Sequence, residues 1–282
     1  MPRNNQRRTG APKKEAAAAA STNSKSSVLD FVTPTEFVEL PSGGRFYPED
    51  HAFHNKETIE IRYMTAKDED ILTNQTLLRK GLALERLLEN TLSNNDVDPS
   101  TLLVGDRNAI VVASRSTGYG PIYKTNVNCP SCLEKVKYSF DLTEAKIYNG
   151  DDHGDTDIQV TDSGTFLVEL PLTQINVEMR LLNGADERAL AADISEKKAN
   201  VLDNPLTSQL RRLIVSLNGE TDTKTIEQFV ELMPAQDSRF LRETHAAVTP
   251  NIDLTQHFKC SACGHEQEME VPFTVDFFWP NR

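Results

Sequence analysis

The chain has 282 residues, 30 Lys+Arg against 42 Asp+Glu and a formal net charge of −12. Its 38% hydrophobic content is enough to build a core without covalent staples, since a folded chain near 300 residues buries roughly three quarters of its extended surface. No stretch approaches the roughly 18 apolar residues of a membrane helix and the start lacks the apolar segment of a secretory signal, so composition points to a soluble protein of a reducing cytoplasm.

Residues 1–27 hold no aromatic or branched aliphatic residue, which leaves little to bury against the entropy of ordering and reads as a disordered tail. Six basic residues (Arg3, Arg7, Arg8, Lys13, Lys14 and Lys25) face one acid, Glu15, so the tail carries +5 and the remainder −17. A body at −17 is repelled by phosphate backbones, which confines any nucleic-acid contact to residues 1–27.

From Val28 to about residue 117 the pattern reads as an extended arm followed by helices. Pro41-Ser42-Gly43-Gly44 suits a tight turn with positive φ at the glycines, and no Lys-Ser/Thr follows at the spacing of a phosphate-binding loop. Thr58 to Tyr63 alternates as a strand does. Thr65 with Asp68 and Glu69 marks a helix start, and the leucines from Ile71 to Leu92 predict one broken helix or two. A further helix is expected over about 100–117, in which Asp106, Arg107 and Arg115 read as helix-to-helix ion pairs.

Gly118-Tyr119-Gly120-Pro121 then turns the chain into a hairpin around Cys129-Pro130-Ser131-Cys132. Asn149 to Asp157 is a polar loop whose aspartates lack the spacing of a calcium-binding loop. A second hairpin is expected around Phe166, Val168, Leu170 and Val177, Met179, Leu181. Gly184 to Val248 reads as helical, with Asp237 or Ser238 capping its last helix. Leu254 to Phe258 leads into Cys260-Ser261-Ala262-Cys263.

The four cysteines of the chain are these two Cys-x-x-Cys pairs, 131 residues apart from Cys129 to Cys260, each between strand-like segments. Three readings compete. A thioredoxin-like redox motif needs the pair at a helix start, and both pairs sit among strands. Independent buried thiols leave the matched pairs to coincidence. One structural zinc held by Cys129, Cys132, Cys260 and Cys263 accounts for both, with Pro130 and Gly264 suiting the knuckle turns. A closed four-thiolate site keeps no position open for water and argues for a staple over catalysis. His265 reads as a surface residue, as do His51 and His54, and no Gly-x-Ser-x-Gly or His-Glu-x-x-His grouping occurs.

The run Phe37 to Pro48, then Tyr63 to Leu72, resembles the N-terminal signature of the T4-like tailed-phage baseplate hub subunits. Asp106-Arg107 with Gly118-Tyr119-Gly120, the two cysteine pairs, Asp237-Ser238-Arg239-x-Leu241-Arg242, Val271-Pro272-Phe273 and Phe277-Phe278-Trp279-Pro280 extend the likeness over about 30–282. It implies a non-enzymatic structural or assembly component of a contractile-tail baseplate hub, in the virion and in the host cytoplasm during assembly. Its implied neighbours are hub, spike, tube-initiator and tape-measure proteins, without a membrane. Two alternatives stay open: a zinc-ribbon adaptor gripping nucleic acid through residues 1–27, and a transient hub-assembly chaperone.

The fold expected is α+β: a basic tail (1–27), an arm and helical domain (28–117), and a split four-cysteine zinc-ribbon-like β unit (118–282) carrying a long α+β insertion at 143–250. The aromatic terminus Phe277, Phe278, Trp279 and Pro280 is the expected partner surface, since aromatics near a chain end are common interface anchors; packing into the chain's own core is the equal alternative.

Overall fold

A computed structural model describes residues 33–93, 97–151, 157–196, 205–272 and 277–278. The basic tail, Asp152 and Asp155, and Trp279 with Pro280 lie outside the described residues.

The chain from Pro34 on forms one unit of mixed helix and sheet. β1 (Thr35–Glu39) pairs antiparallel with β2 (Thr58–Arg62), and between them Gly43 and Gly44 take φ of 57° and 73°. A Cβ on Gly44 would stand 2.3 Å from the Lys56 backbone nitrogen, so both space and conformation require glycine there. Three short helices follow: α1 (Ala66–Thr73), α2 (Gln75–Arg79) and α3 (Ala83–Thr91). The expected one or two helices become three because Asn74 leaves helical geometry and caps α2 through its side chain, while Gly81 at φ 69° ends that turn. Thr65 starts α1 with a reciprocal capping box to Asp68, as its spacing suggests. α4 (Val104–Tyr119) is the long helix, preceded by a single 3-10 turn at Pro99–Thr101, where the sequence pattern suggested one helix from about 100.

β3 (Ile122–Asn128) and β4 (Lys135–Asp141) form the first cysteine hairpin, and β5 (Lys146–Tyr148) leaves it. β6 (Gln159–Val160), β7 (Phe166–Glu169) and β8 (Asn176–Met179) lead to α5 (Gly184–Glu196) and α6 (Pro205–Leu213). Ile214–Leu217, expected as helix, is instead strand β9. It closes a four-stranded antiparallel sheet in the order β6-β7-β8-β9, with Ile214, Ser216 and Leu217 opposite Met179, Glu178 and Val177 of β8 and a bulge at Val215. α7 (Thr223–Leu232) and α8 (Ala235–Val248) precede β10 (Asn251–Asp253), which pairs with β5. β11 (Thr255–Lys259) and β12 (Glu266–Glu270) make the second cysteine hairpin.

Two stretches of this chain repeat one pattern. Val38-Glu39-Leu40-Pro41 returns as Val168-Glu169-Leu170-Pro171, each leaving the first strand of a hairpin, and Glu60-Ile61-Arg62 returns as Glu178-Met179-Arg180 in the second strand. Each arginine then makes the same contacts. Arg62 donates to the Tyr63 carbonyl and to both carboxylate oxygens of Asp68, and Arg180 to the Leu181 carbonyl and to both oxygens of Asp186. The Thr65 and Asn183 backbone N–H groups complete the two copies, each donating to the same carboxylate.

A buried aspartate at the third residue of a later helix fastens each hairpin turn. In α4, Asp106 accepts from the Ser42 N–H at 2.9 Å, the Ser42 hydroxyl at 2.6 Å and the Tyr47 hydroxyl at 2.8 Å. In α8, Asp237 accepts from the Leu172 and Thr173 N–H groups at 2.9 and 3.0 Å. Ser42 and Leu172 each follow the proline of the repeated Val-Glu-Leu-Pro.

These contacts correct three expectations. Asp106 meets hydroxyls and an amide where a cation was expected. Asp237 does not cap α8, whose N-cap is Pro234, because its carboxylate is spent on the turn at residues 172–173. Of the three charged residues in α4, Arg107 alone makes the helix-to-helix ion pair, with Glu187 of α5.

Candidate metal centre

Each cysteine pair closes the tip of its hairpin with the same backbone hydrogen bonds. The Cys129 N–H donates to the Glu134 carbonyl at 3.0 Å and the Leu133 N–H to the Cys129 carbonyl at 2.9 Å. In the second tip, the Cys260 N–H donates to the His265 carbonyl at 2.8 Å and the Gly264 N–H to the Cys260 carbonyl at 3.0 Å. The residue after the second cysteine must turn left-handed in both. Gly264 does so at φ 75° without cost, whereas Leu133 is held at φ 61° with its side chain 79% exposed.

The hairpins place all four sulfurs within 4.8 Å of one another, the one such ligand cluster among the described residues. Cys129 Sγ lies 3.7 Å from Cys263 Sγ and Cys132 Sγ lies 3.9 Å from Cys260 Sγ. These two pairs exchange when one repeat is mapped onto the other, so the cluster has an approximate two-fold relation between the knuckles. A disulfide requires sulfurs about 2.05 Å apart. A tetrahedron of thiolates about 2.3 Å from a central ion has edges of about 3.8 Å, which the observed separations match. Each knuckle supplies one buried cysteine, Cys129 or Cys260, and one exposed cysteine, Cys132 or Cys263.

The Cys260 and Cys132 thiols are pushed in opposite directions. Backbone N–H donation from Cys263, with that from Ala262, brings the Cys260 thiol down to about 6. At Cys132 the N–H of Glu134 also favours the thiolate, but desolvation and the three neighbouring sulfurs outweigh it and push the thiol up to about 12. A cation at the centre would supply the charge that lets all four ionise together.

The inner faces of the two hairpins pack on each other beneath the sulfurs. Tyr138 meets Phe258 with ring centroids 5.0 Å apart and donates its hydroxyl to the His257 carbonyl, while Gln256 exchanges two hydrogen bonds with the Asp141 backbone. His265 stands outside the sulfur cluster, half-exposed beside Gln267. His51 and His54 are occupied locally: His51 stacks on Tyr47 at 4.3 Å and contacts Thr101, and His54 contacts the Tyr47 carbonyl.

Of the aromatic terminus, Phe277 and Phe278 are 2% and 4% exposed. Phe277 packs edge-on to Tyr123 at 5.1 Å, and its carbonyl accepts from the guanidinium of Arg115 at 2.6 Å. Arg115, 0% exposed, is spent on carbonyls, reaching Gly120 and Ile122 as well, with Tyr119 and Tyr123 beside it. The described part of the terminus is therefore core in the isolated chain.

A family model described as T4 bacteriophage base plate protein matches residues 33–279, nearly the whole sequence beyond the tail. The chain belongs to that family. It is a structural protein of the phage tail baseplate, a setting in which it meets other baseplate and tail proteins. No curated protein and no solved structure matches it significantly. Among the described residues no helix is long and apolar enough to cross a membrane.

The paired aspartates Asp106 and Asp237 and the buried Arg115 are the structurally decisive polar residues; the sequence pattern singles them out but assigns them to ion pairs and a helix cap, not to the turns and carbonyls they hold. The repeated Val-Glu-Leu-Pro and the common 131-residue offset of both the aspartates and the cysteines were the signal that could have found the first two.

Proposed function

We propose that this baseplate protein is a component of the central hub, acting through protein–protein contacts without catalysis, and that its four cysteines hold one structural zinc. The observation that carries the zinc reading is the four-sulfur cluster with separations of 3.7 and 3.9 Å, one knuckle from each repeat. An all-thiolate tetrahedral set selects zinc or iron over calcium, magnesium or manganese, and its closed coordination suits a staple. The hub placement is supported by the motif set around Pro41 to Pro48 and Asp106-Arg107, which the fold uses to hold a hairpin onto α4.

Such a part needs rigid internal joints more than an active site. The aspartate-fastened turns and the thiolate cluster supply joints at both ends of each repeat. Phe277 and Phe278 would contribute to a partner interface by holding the chain end in place, with Trp279 and Pro280 carrying the contact. Cross-linking mass spectrometry on purified tails and on infected-cell lysate tests the placement. Cross-links to hub or spike proteins in purified particles are expected. Recovery from lysate with no copies in particles would overturn residence in the hub in favour of a transient assembly role.

A further inference from the structure

The two cysteine hairpins are equivalent parts of the repeat, yet their exposed faces carry opposite charge at two matching positions, Lys135 against Glu266 and Lys137 against Glu268. On the first, Lys135 and Lys137 project from β4 beside Lys124 of β3. On the second, the residues at the same 131-residue offset from Lys135, Lys137 and Ser139 are Glu266, Glu268 and Glu270 of β12. All seven are exposed. The inner faces of both hairpins are buried, so the charged faces belong to the outside of the molecule. Among the described residues no ion pair joins the two faces.

The basic face is unneutralised: no described ion pair engages Lys124, Lys135 or Lys137, in a chain whose net charge is −12. The acidic face is partly neutralised. Lys259 pairs with Glu266 at 2.5 Å, and His257 lies 3.7 Å from both Glu266 and Glu268; among the described residues Glu270 has no ion pair and Glu268 has only the histidine. Alternate residues of a strand repeat at about 6.6 Å, so two faces built on one hairpin plan present their charges at one spacing.

We propose that the basic face of the first hairpin docks on the acidic face of the second hairpin of another copy of this chain. The contact is head-to-tail: it uses two different patches, so it builds a ring where the rotation closes and otherwise a row with one patch of each kind free at its ends. Exposed pairs are individually weak, so the association depends on salt and on the local concentration that an assembling baseplate supplies. This surface is independent of the hub placement and of the metal's identity.

Sedimentation velocity of the full-length protein tests it at about 100 μM in about 0.02 M and about 0.5 M salt, where the screening length falls from roughly 20 Å to roughly 4 Å. Self-association is expected at low salt, with an association constant lower by at least about tenfold at high salt. Lys135→Glu with Lys137→Glu makes both faces acidic, and Glu268→Lys with Glu270→Lys makes the acidic face basic while sparing the Lys259–Glu266 pair. Each variant alone should be monomeric with an unchanged melting temperature, and an equimolar mixture should associate. A monomeric wild type at low salt, association unaffected by the swaps, or a mixture that stays monomeric would each overturn the proposal; in the first case the basic face serves a different, acidic partner.

Discussion

Replacing Asp106 with alanine removes an acceptor from three donors at once in a site where the aspartate is 1% exposed. The Ser42 and Tyr47 hydroxyls can rotate, but the Ser42 N–H is fixed by the turn and has no other described acceptor. An orphaned buried donor costs about 1–3 kcal/mol, so with partial relaxation the loss comes to about 3–5 kcal/mol, or roughly 10 °C in melting temperature. Asp237→Ala strands two backbone N–H groups, neither able to rotate, and the repeat relation predicts a loss of the same size. Urea denaturation with an unchanged slope is the assay.

Asp106→Asn, which keeps one carbonyl acceptor, should cost less and should also change the pH dependence. Burial holds the Asp106 carboxyl above the usual carboxylate range, outweighing the bonds from Ser42 and Tyr47 that favour its ionised form. The folded state therefore binds that proton more tightly than the unfolded state, and wild-type stability gains on Asp106→Asn as pH falls through the raised value toward 3.8. A loss below about 1 kcal/mol for both alanine variants would refute the idea that these aspartates fasten the hairpin turns.

Leu133→Gly should stabilise by about 0.5–1 kcal/mol and Gly264→Ala should destabilise by about 1 kcal/mol, because both positions are left-handed; thermal melts of the metal-loaded protein check this. Arg115→Lys loses the planar fork that spans the Phe277 and Gly120 carbonyls and should cost about 2 kcal/mol, with faster amide exchange around residues 120–123. His245 is held down to about 4 by burial, with the Arg180 charge adding to it. Its share of stability is complete above pH 6.5 and is lost as pH falls toward 4, up to about 3 kcal/mol, and His245→Asn should flatten that stretch of the pH–stability curve.

What could be read from the sequence was local. The Thr65 capping box spans four residues, each knuckle spans six, and Gly43-Gly44 announces its own turn. The partners of the buried charged groups could not be read, because Asp106 finds Ser42 64 positions away, Asp237 finds Thr173 64 positions away and Arg115 finds Phe277 162 positions away. An aspartate met only by hydroxyls and amides looks in sequence like half of an ion pair. The repeat was hidden by unequal loops: the stretch from Pro41 to Arg62 is twelve positions longer than that from Pro171 to Arg180, so the offset falls from 130 at the prolines to 118 at the arginines before reaching 131 at the aspartates and cysteines. β9 was read as helix because Ile214 to Leu217 continues an apolar pattern from α6, and pairing to β8 overrides it.

The most direct test of the four-thiolate clasp is metal content by elemental analysis of the full-length protein purified without added metal. About one zinc per chain is expected, falling to near zero when Cys129 and Cys263, one from each repeat, are both changed to serine. Iron in place of zinc would keep the site and change the metal. A metal-free wild type, or full zinc occupancy in the double variant, would contradict the shared site.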